Sequence, residues 1–194
     1  MSTACILTGS PHVNGSSDAI ARLLAQGLHE GGVLAETLAV RDYRVQPCTA
    51  CNHCARHPGI CPLDANDDAG TLFERLLQAD TLFFVIPVYF YGPPALMKSF
   101  IDRAQKFWNR NTTPPPRPRL AQAVFCAART KGDRLFEANQ LILRCFLRAL
   151  GFRLAEPLLL RGVENPQDLI QNNFNSTIME MGHAAARASL LTPQ

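Results

Sequence analysis

Four clustered cysteines are the most unusual local feature of the sequence. They have the spacing C-x-x-C-x-x-C-x6-C and are Cys48, Cys51, Cys54 and Cys61. Several cysteine thiolates, each separated from the next by two residues, are typical of loops that hold a cubic iron–sulfur cluster. Zinc modules usually separate two cysteine pairs by a longer stretch. The spacing therefore favours a metal cluster, with a zinc ion and with free or redox-active thiols as the alternatives.

The other three cysteines lie within apolar runs that look like strands or helices, at Cys5, Cys126 and Cys145. We expect them to be small buried hydrophobic residues, as most isolated cysteines are. The stretch between residues 41 and 68, which holds the four clustered cysteines, has no clear periodicity and is predicted to be a long ordered loop. Asp67 and Asp68 at its end are expected to cap the helix that follows.

A second candidate site is a polar loop that follows the first apolar run. It offers hydroxyl groups, an amide and backbone N–H groups directly before a helix, and its candidate ligands are Ser10, His12, Asn14, Ser16 and Ser17. Unpaired N–H groups at a helix N-terminus favour a phosphate. The lysine of loops that bind nucleoside triphosphates does not follow Gly15, so such a ligand is not expected. The G-x-G-x-x-G motif of dinucleotide-binding proteins is also not present. The alternative is an ordinary turn with a serine cap.

A third candidate site is an aromatic segment that follows the most apolar run. Its residues are Pro87, Val88, Tyr89, Phe90, Tyr91 and Gly92. Aromatic side chains at the carboxyl end of a strand can present a flat apolar wall to a planar ring. The alternative is that these aromatic side chains belong to the core.

Strand-like and helical segments alternate along the chain. Strands are expected at residues 4–8, 34–40, 81–88, 120–127 and 153–160, and the later helices at about 94–108, 133–150 and 166–190. Residues 110–119 are rich in proline and are expected to be an irregular connection. This alternation predicts an α/β fold with a parallel sheet between two layers of helices. Five strands fit the flavodoxin-like order 2-1-3-4-5, in which ligands bind beyond the carboxyl ends of strands one and three.

Composition excludes several classes of protein. The chain has 194 residues, a net charge of +3 and 47% hydrophobic residues, which suits one folded domain and gives no footprint for nucleic acid. The longest apolar run, residues 82–90, contains Pro87 and is too short for a membrane span. No charged and apolar leader opens the chain. We therefore expect a cytoplasmic, single-domain protein.

Together the three segments resemble the NADPH-dependent FMN reductase family of flavodoxin-like proteins, and in particular its iron–sulfur flavoprotein branch. The motifs that carry the resemblance are residues 9–17, the cysteine loop from Pro47 to Asp68, and residues 87–103. The resemblance implies that the polar loop surrounds the phosphate of FMN and that residues 87–92 border the flavin ring. The family usually has Arg or Lys where this chain has His12, which predicts a weaker or pH-dependent phosphate contact.

The resemblance also implies an activity. FMN would take electrons from NAD(P)H and pass them to a quinone, an azo or nitro compound, or free flavin. Alternatively, the four cysteines would hold a [4Fe–4S] cluster that exchanges electrons with a ferredoxin-like partner, or the chain would be a non-enzymatic electron carrier. No side chain stands out as an acid or base, so no catalytic residue is named.

Two further expectations come from the same comparison. The segment from Lys98 to Arg103 is expected to stabilise its helix and the packing of that helix. A homodimer or homotetramer is expected because flavin sites of this family lie near subunit interfaces, and Phe107 and Trp108 look exposed.

Overall fold

A computed structural model describes residues 3–108 and 119–191 of the chain. Its sheet contains the strands β1 (Thr3–Thr8), β2 (Leu34–Ala39), β3 (Thr81–Pro87), β4 (Arg119–Ala127), β5 (Phe152–Leu154) and β6 (Leu158–Arg161). The order is β2-β1-β3-β4-β5, β6 also pairs with β4, and every pairing is parallel. The predicted flavodoxin-like order is thereby confirmed.

Eight helices accompany these strands in the part of the chain that the structure describes. They are α1 (Ser16–Glu30), α2 (His53–Arg56), α3 (Ala69–Gln78), α4 (Ala95–Arg103), α5 (Gln105–Trp108), α6 (Glu137–Ala149), α7 (Gln167–Gln171) and α8 (Phe174–Leu191). Two short 3₁₀ helices, Val40–Asp42 and Pro62–Ala65, lie at either end of the cysteine loop. The predicted loop thus contains α2 between these two short helices.

Each face of the sheet supports a separate hydrophobic core. On β1, Cys5 and Leu7 point to the face covered by α3, α4 and α6, whereas Ala4 and Ile6 point to the face covered by α1 and α8. This alternation follows from the two-residue period of a strand. Because both faces are covered, the central strands are apolar throughout, which is why the sequence marks them so clearly.

Helices α1 and α8 approach each other closely through glycine. A Cβ atom added at Gly27 would lie 2.3 Å from the backbone oxygen of Met179, and one added at Gly182 would lie 2.7 Å from the oxygen of Leu24. No side chain fits at either position. The contact explains why glycines are tolerated in helix interiors, where they cost about 1 kcal/mol relative to alanine.

The prediction of one continuous fifth strand over residues 153–160 is wrong. Ala121 of β4 pairs with Leu154 of β5, and Val124 of β4 pairs with Leu158 of β6. From the first pair to the second, β4 advances by three residues and its partner by four. One extra residue bulges out between the two strands, where Pro157 offers no N–H to the ladder. The apolar pattern on both sides hides this interruption.

Three predicted helices also differ from the structure. The helix from Pro94 is interrupted at Ala104, whose N–H bonds Ile101 in a tight turn. The next helix begins at Glu137 rather than residue 133. The terminal helix is divided because Asn173 has φ of 56°, which ends α7. Element boundaries depend on such local turns, which apolar periodicity does not register.

The isolated cysteines are only partly as expected. Cys5 and Cys126 are buried, and burial raises the pKa of Cys5 to about 12 and that of Cys126 to about 11. Cys145 is exposed, so its predicted burial is wrong: it lies on the outer face of α6. The proline-rich connection falls largely on residues 109–118, outside the described residues. Within residues 3–108 and 119–191, no helix is long and apolar enough to cross a membrane.

Candidate functional site

The polar loop and the aromatic segment begin at adjacent points of the sheet. Strands β1 and β3 are parallel neighbours, with Thr8 opposite Val85, and the Gly9 N–H donates to the Val85 oxygen at 2.9 Å. Both loops therefore leave the same edge of the sheet. The structure brings together the two sets of residues that the sequence predicts for one ligand.

Unpaired polar groups lie at the start of helix α1. Gly15 occupies the N-cap position, where no side chain caps the helix. The hydroxyl of Ser16 is buried and, among the residues that the structure describes, has no hydrogen-bond partner; the same holds for the hydroxyl of Thr8. A buried hydroxyl without a partner costs free energy, so the Ser16 hydroxyl is available to bind a polar group of a ligand.

An ion pair holds the polar loop in shape. Arg41 donates two hydrogen bonds of 3.0 Å to the carboxylate of Asp18 and a third, of 3.3 Å, to the Ser10 carbonyl oxygen. Asp18 also accepts the Asn14 N–H at 2.7 Å, where Asn14 has φ of 58°. The loop is therefore fixed before any ligand binds.

The remaining predicted residues of this loop have different environments. Ser10 is buried and its hydroxyl accepts the His12 N–H at 3.2 Å, whereas the His12 side chain is exposed. Ser17 is buried and its hydroxyl lies 3.9 Å from the Cys126 sulfur. Ser16 thus has the clearest free hydrogen-bonding capacity in the set.

The aromatic segment forms a tight two-residue turn. The N–H groups of Tyr89 and Gly92 donate to each other's carbonyl oxygens at 2.8 and 2.9 Å. Phe90 and Tyr91 have φ of 47° and 66°. Turns of this type favour Asn-Gly because side chains are strained at positive φ. Two aromatic residues in such positions indicate a functional constraint.

The side chains of this turn are exposed rather than part of the core. Phe90 is fully exposed, and Tyr89 and Tyr91 are about two-fifths exposed. The Tyr91 hydroxyl accepts a hydrogen bond of 3.1 Å from Arg129, and its carbonyl accepts one of 3.4 Å from Asn139. A cavity of about 680 Å³ lies beside it, lined by Tyr91, Asp133, Arg134, Glu137, Ala138 and Leu141. Pro87 ends β3, and Val88 packs against the core.

The four clustered cysteines line a single cavity of about 200 Å³. Cys48 and Cys51 are exposed, whereas Cys54 and Cys61 are half-buried. Within the described residues, no three His, Cys, Asp or Glu side chains are arranged for a single metal ion. The four predicted ligands thus line one cavity.

Next to the cysteine loop lies a largely buried ionic cluster, which we call the ionic base: Arg103, Asp64, Asp67 and Lys106. Asp67 accepts a short hydrogen bond from Arg103 and the N–H groups of Gln46 and Ala69. Burial alone would raise the pKa of Asp67, but these donors outweigh burial and lower it.

The capping prediction for the two aspartates is therefore incomplete. Asp67 does accept the first N–H of α3, but its main partner is Arg103. Asp68 occupies the N-cap position and its carboxylate instead accepts the Arg44 N–H at 2.8 Å. The segment from Lys98 to Arg103 is expected from the sequence to stabilise the packing of its own helix. Arg103 does so through contacts with Gln46, Asp64 and Asp67, which lie at the two ends of the cysteine loop.

Sequence reasoning missed the ion pair of Arg41 with Asp18 and the ionic base. Both are formed between residues far apart in the chain, so no spacing rule reveals them. The available signal was a buried arginine: Arg103 lies on α4 among apolar positions, which requires a carboxylate partner.

The residues at the edge of the sheet fit FMN. An uncapped helix N-terminus and the free Ser16 hydroxyl suit a phosphate, and the exposed aromatic turn suits a planar ring. Fold and site thus define a flavodoxin-like α/β protein. The profile of the NADPH-dependent FMN reductase family matches residues 3–150, and the chain belongs to that family. The resemblance seen in the sequence is confirmed.

Individual relatives agree with this assignment. The chain is 30% identical over 99 residues to an iron-sulfur flavoprotein of Methanocaldococcus jannaschii (51% of this chain, 50% of the relative). It is 27% identical over 145 residues to an iron-sulfur flavoprotein of Archaeoglobus fulgidus (75% of this chain, 67% of the relative). The first of these matches thus spans about half of the relative's length.

Solved structures share the fold. An NAD(P)H:quinone oxidoreductase from Methanothermobacter marburgensis superposes with a TM-score of 0.69 and 19% identity, covering 100% of this chain and 99% of that one. At this identity the likeness concerns the fold alone.

Proposed function

We propose that this protein is an FMN-dependent oxidoreductase that takes electrons from NAD(P)H and passes them to a small acceptor. The acceptor would be a quinone, an azo or nitro compound, or free flavin. The observation that carries the proposal is the unpaired Ser16 hydroxyl beside an uncapped helix N-terminus, at the same sheet edge as a strained aromatic turn. Family membership supports the choice of FMN and of a nicotinamide donor.

The chain's residues would bind and orient the cofactor. Ser10, Asn14, Ser16 and Ser17 would surround the phosphate, with His12 at the exposed rim. Residues 87–92 would border the ring, and the bond from Arg129 would hold Tyr91 in place. Bound FMN supplies the hydride and electron chemistry, and the protein positions and tunes it. We assign no catalytic acid or base.

The proposal is tested by titrating the protein with FMN and with riboflavin while following flavin fluorescence. We expect one FMN per chain and much weaker binding of riboflavin, since riboflavin lacks the phosphate. Equal affinity for the two ligands would contradict a phosphate site at the start of α1.

The second candidate function includes a [4Fe–4S] cluster on Cys48, Cys51, Cys54 and Cys61, which would exchange electrons with a ferredoxin-like partner. The observation that favours it is the single cavity that all four cysteines line. Two similar proteins named iron-sulfur flavoproteins support it. Iron and acid-labile sulfide in anaerobically purified protein are the test; iron-free protein from iron-replete expression would refute it.

We also propose a homodimer or homotetramer in the cytoplasm. Phe90 is fully exposed and Trp108 is 56% exposed, and a partner subunit would cover both. Phe107, in contrast, is buried edge-on against Phe73. Sedimentation that detects only the 21.4 kDa monomer at micromolar concentration would contradict this proposal.

A further inference from the structure

Both ends of the cysteine loop are held by one buried guanidinium group. Arg103 is 1% exposed and donates to the Gln46 carbonyl oxygen at 3.1 Å and to Asp64 at 2.7 Å, besides its short bond to Asp67. Gln46 lies just before the first of the four cysteines and Asp64 just after the last. The guanidinium therefore fixes the entry and the exit of the loop at the same place.

Lys106 ties the middle of the loop to the same base. Its ammonium donates to Asp64 at 2.6 Å, and its carbonyl oxygen accepts the Gly59 N–H at 2.9 Å. Two cations thus face two carboxylates in the ionic base, so the loop is anchored without a metal ion. Small metal sites commonly fold only when the metal binds. The contacts here provide a different source of order.

One donor of Arg103, a residue that lines the cysteine cavity, is left over. Its Nε is buried and has no hydrogen-bond partner within residues 3–108 and 119–191. The side chain lines the same cavity as the four cysteines, and Cys61 is among the groups that interact electrostatically with it. An unpaired N–H on a side chain that shares this cavity with thiol groups suits a sulfur acceptor.

We propose that Arg103 is the positioning residue of the four-cysteine site: it holds the loop folded before any cluster is present, and it directs one N–H and its positive charge towards the sulfur atoms. The proposal rests on the second candidate function. Hydrogen bonds and positive charge near the sulfur atoms stabilise the reduced form of a cluster, so they raise its reduction potential.

The first test uses iron-free, full-length protein. Alkylation rates of the four cysteines and amide hydrogen exchange of residues 47–61 are measured in wild type, Arg103→Lys and Lys98→Met. Lysine keeps the charge but cannot contact Gln46 and both aspartates together. We expect exchange at least about tenfold faster in Arg103→Lys, because the guanidinium's simultaneous hydrogen bonds to Gln46, Asp64 and Asp67 are lost. Lys98→Met removes an exposed ion pair on the same helix and is the control.

If Arg103→Lys does not fold, Asp64→Asn replaces it, because Asp64 is 24% exposed and contacts both cations of the base. Unchanged exchange in the variant would overturn the positioning role, with or without iron in the wild type.

The second test loads the same proteins anaerobically with ferrous iron and sulfide and measures the midpoint potential of the cluster. We expect a lower potential in Arg103→Lys and no change in Lys98→Met. An unchanged potential would overturn the electronic part of the proposal. If the wild-type protein takes up no iron, the proposal of a cluster is overturned. The exchange experiment then still decides whether Arg103 positions the loop.

Discussion

Replacing Ser16 with alanine should weaken cofactor binding without lowering protein stability. The Ser16 hydroxyl is buried and has no hydrogen-bond partner among the described residues. Removing it eliminates a desolvated group, so the free energy of unfolding of the cofactor-free protein should stay constant or rise by about 1 kcal/mol. An ordinary helix-capping serine would behave differently, since its loss destabilises by about 1 kcal/mol.

The same substitution should weaken FMN binding. A hydrogen bond to a charged phosphate contributes about 1.5–3 kcal/mol. Because 1.4 kcal/mol is a factor of ten, the dissociation constant of FMN should rise by about 10- to 150-fold. The affinity for riboflavin should not change, because riboflavin carries no phosphate.

The assay is a fluorescence titration with both flavins, combined with urea unfolding of the cofactor-free proteins. Ser176→Ala is the matched control, since Ser176 is exposed on α8, away from the polar loop. If Ser16→Ala lowered stability and left FMN affinity unchanged, the hydroxyl would be a structural cap and the reasoning would be refuted.

Three further predictions concern the rest of the chain. Gly27→Ala should lower the free energy of unfolding by about 1–3 kcal/mol despite the better helix propensity of alanine, because its Cβ would meet the Met179 oxygen at 2.3 Å; chemical denaturation measures this. His183 donates a hydrogen bond of 2.8 Å to the Glu30 carboxylate, and this contact raises the pKa of His183. Its stabilisation is therefore complete below the ordinary pKa of 6.5 and is lost as the pH rises through the raised value, so His183→Gln should lower the melting temperature in acid and not in alkali. Phe90→Asn should raise stability by about 0.5–1 kcal/mol, since asparagine tolerates positive φ, and should weaken FMN binding; calorimetry and titration measure the two effects.

Controls and contrary outcomes differ among these three. Gly70→Ala is the control for Gly27, because its Cβ would lie 3.5 Å or more from its neighbours, and it should not destabilise. Equal effects of the two glycine substitutions would contradict the close helix contact. A His183→Gln effect that is the same at every pH would contradict the ion pair with Glu30. Lower stability in Phe90→Asn would show that the turn is not strained.

The sheet could be predicted from sequence because β1, β3 and β4 are short apolar runs separated by helical segments. Strand order then followed from connection rules and the number of strands. The break between β5 and β6 could not be predicted, since a single extra residue changes the register without changing the apolar pattern. Such a bulge is decided by pairing with β4, which is a tertiary contact.

The candidate site shows the same division between local and long-range information. Ser16 and the aromatic turn could be chosen because polar and aromatic residues follow strands β1 and β3. The positive φ of Phe90 and Tyr91 could not be foreseen, because local preference favours glycine or asparagine there. Arg41 and Arg103 were not assigned to the sites because their carboxylate partners lie more than twenty residues away.

The most direct test of the proposed activity follows the visible absorbance of bound FMN without oxygen. Wild-type protein is loaded with FMN, freed of excess flavin and mixed with NADPH, and then with a quinone. The proposal predicts that NADPH bleaches the flavin absorbance and that the quinone restores it, over repeated cycles. Flavin that remains oxidised after NADPH is added, in protein that binds FMN one to one, would contradict an NAD(P)H-dependent oxidoreductase and favour an electron carrier.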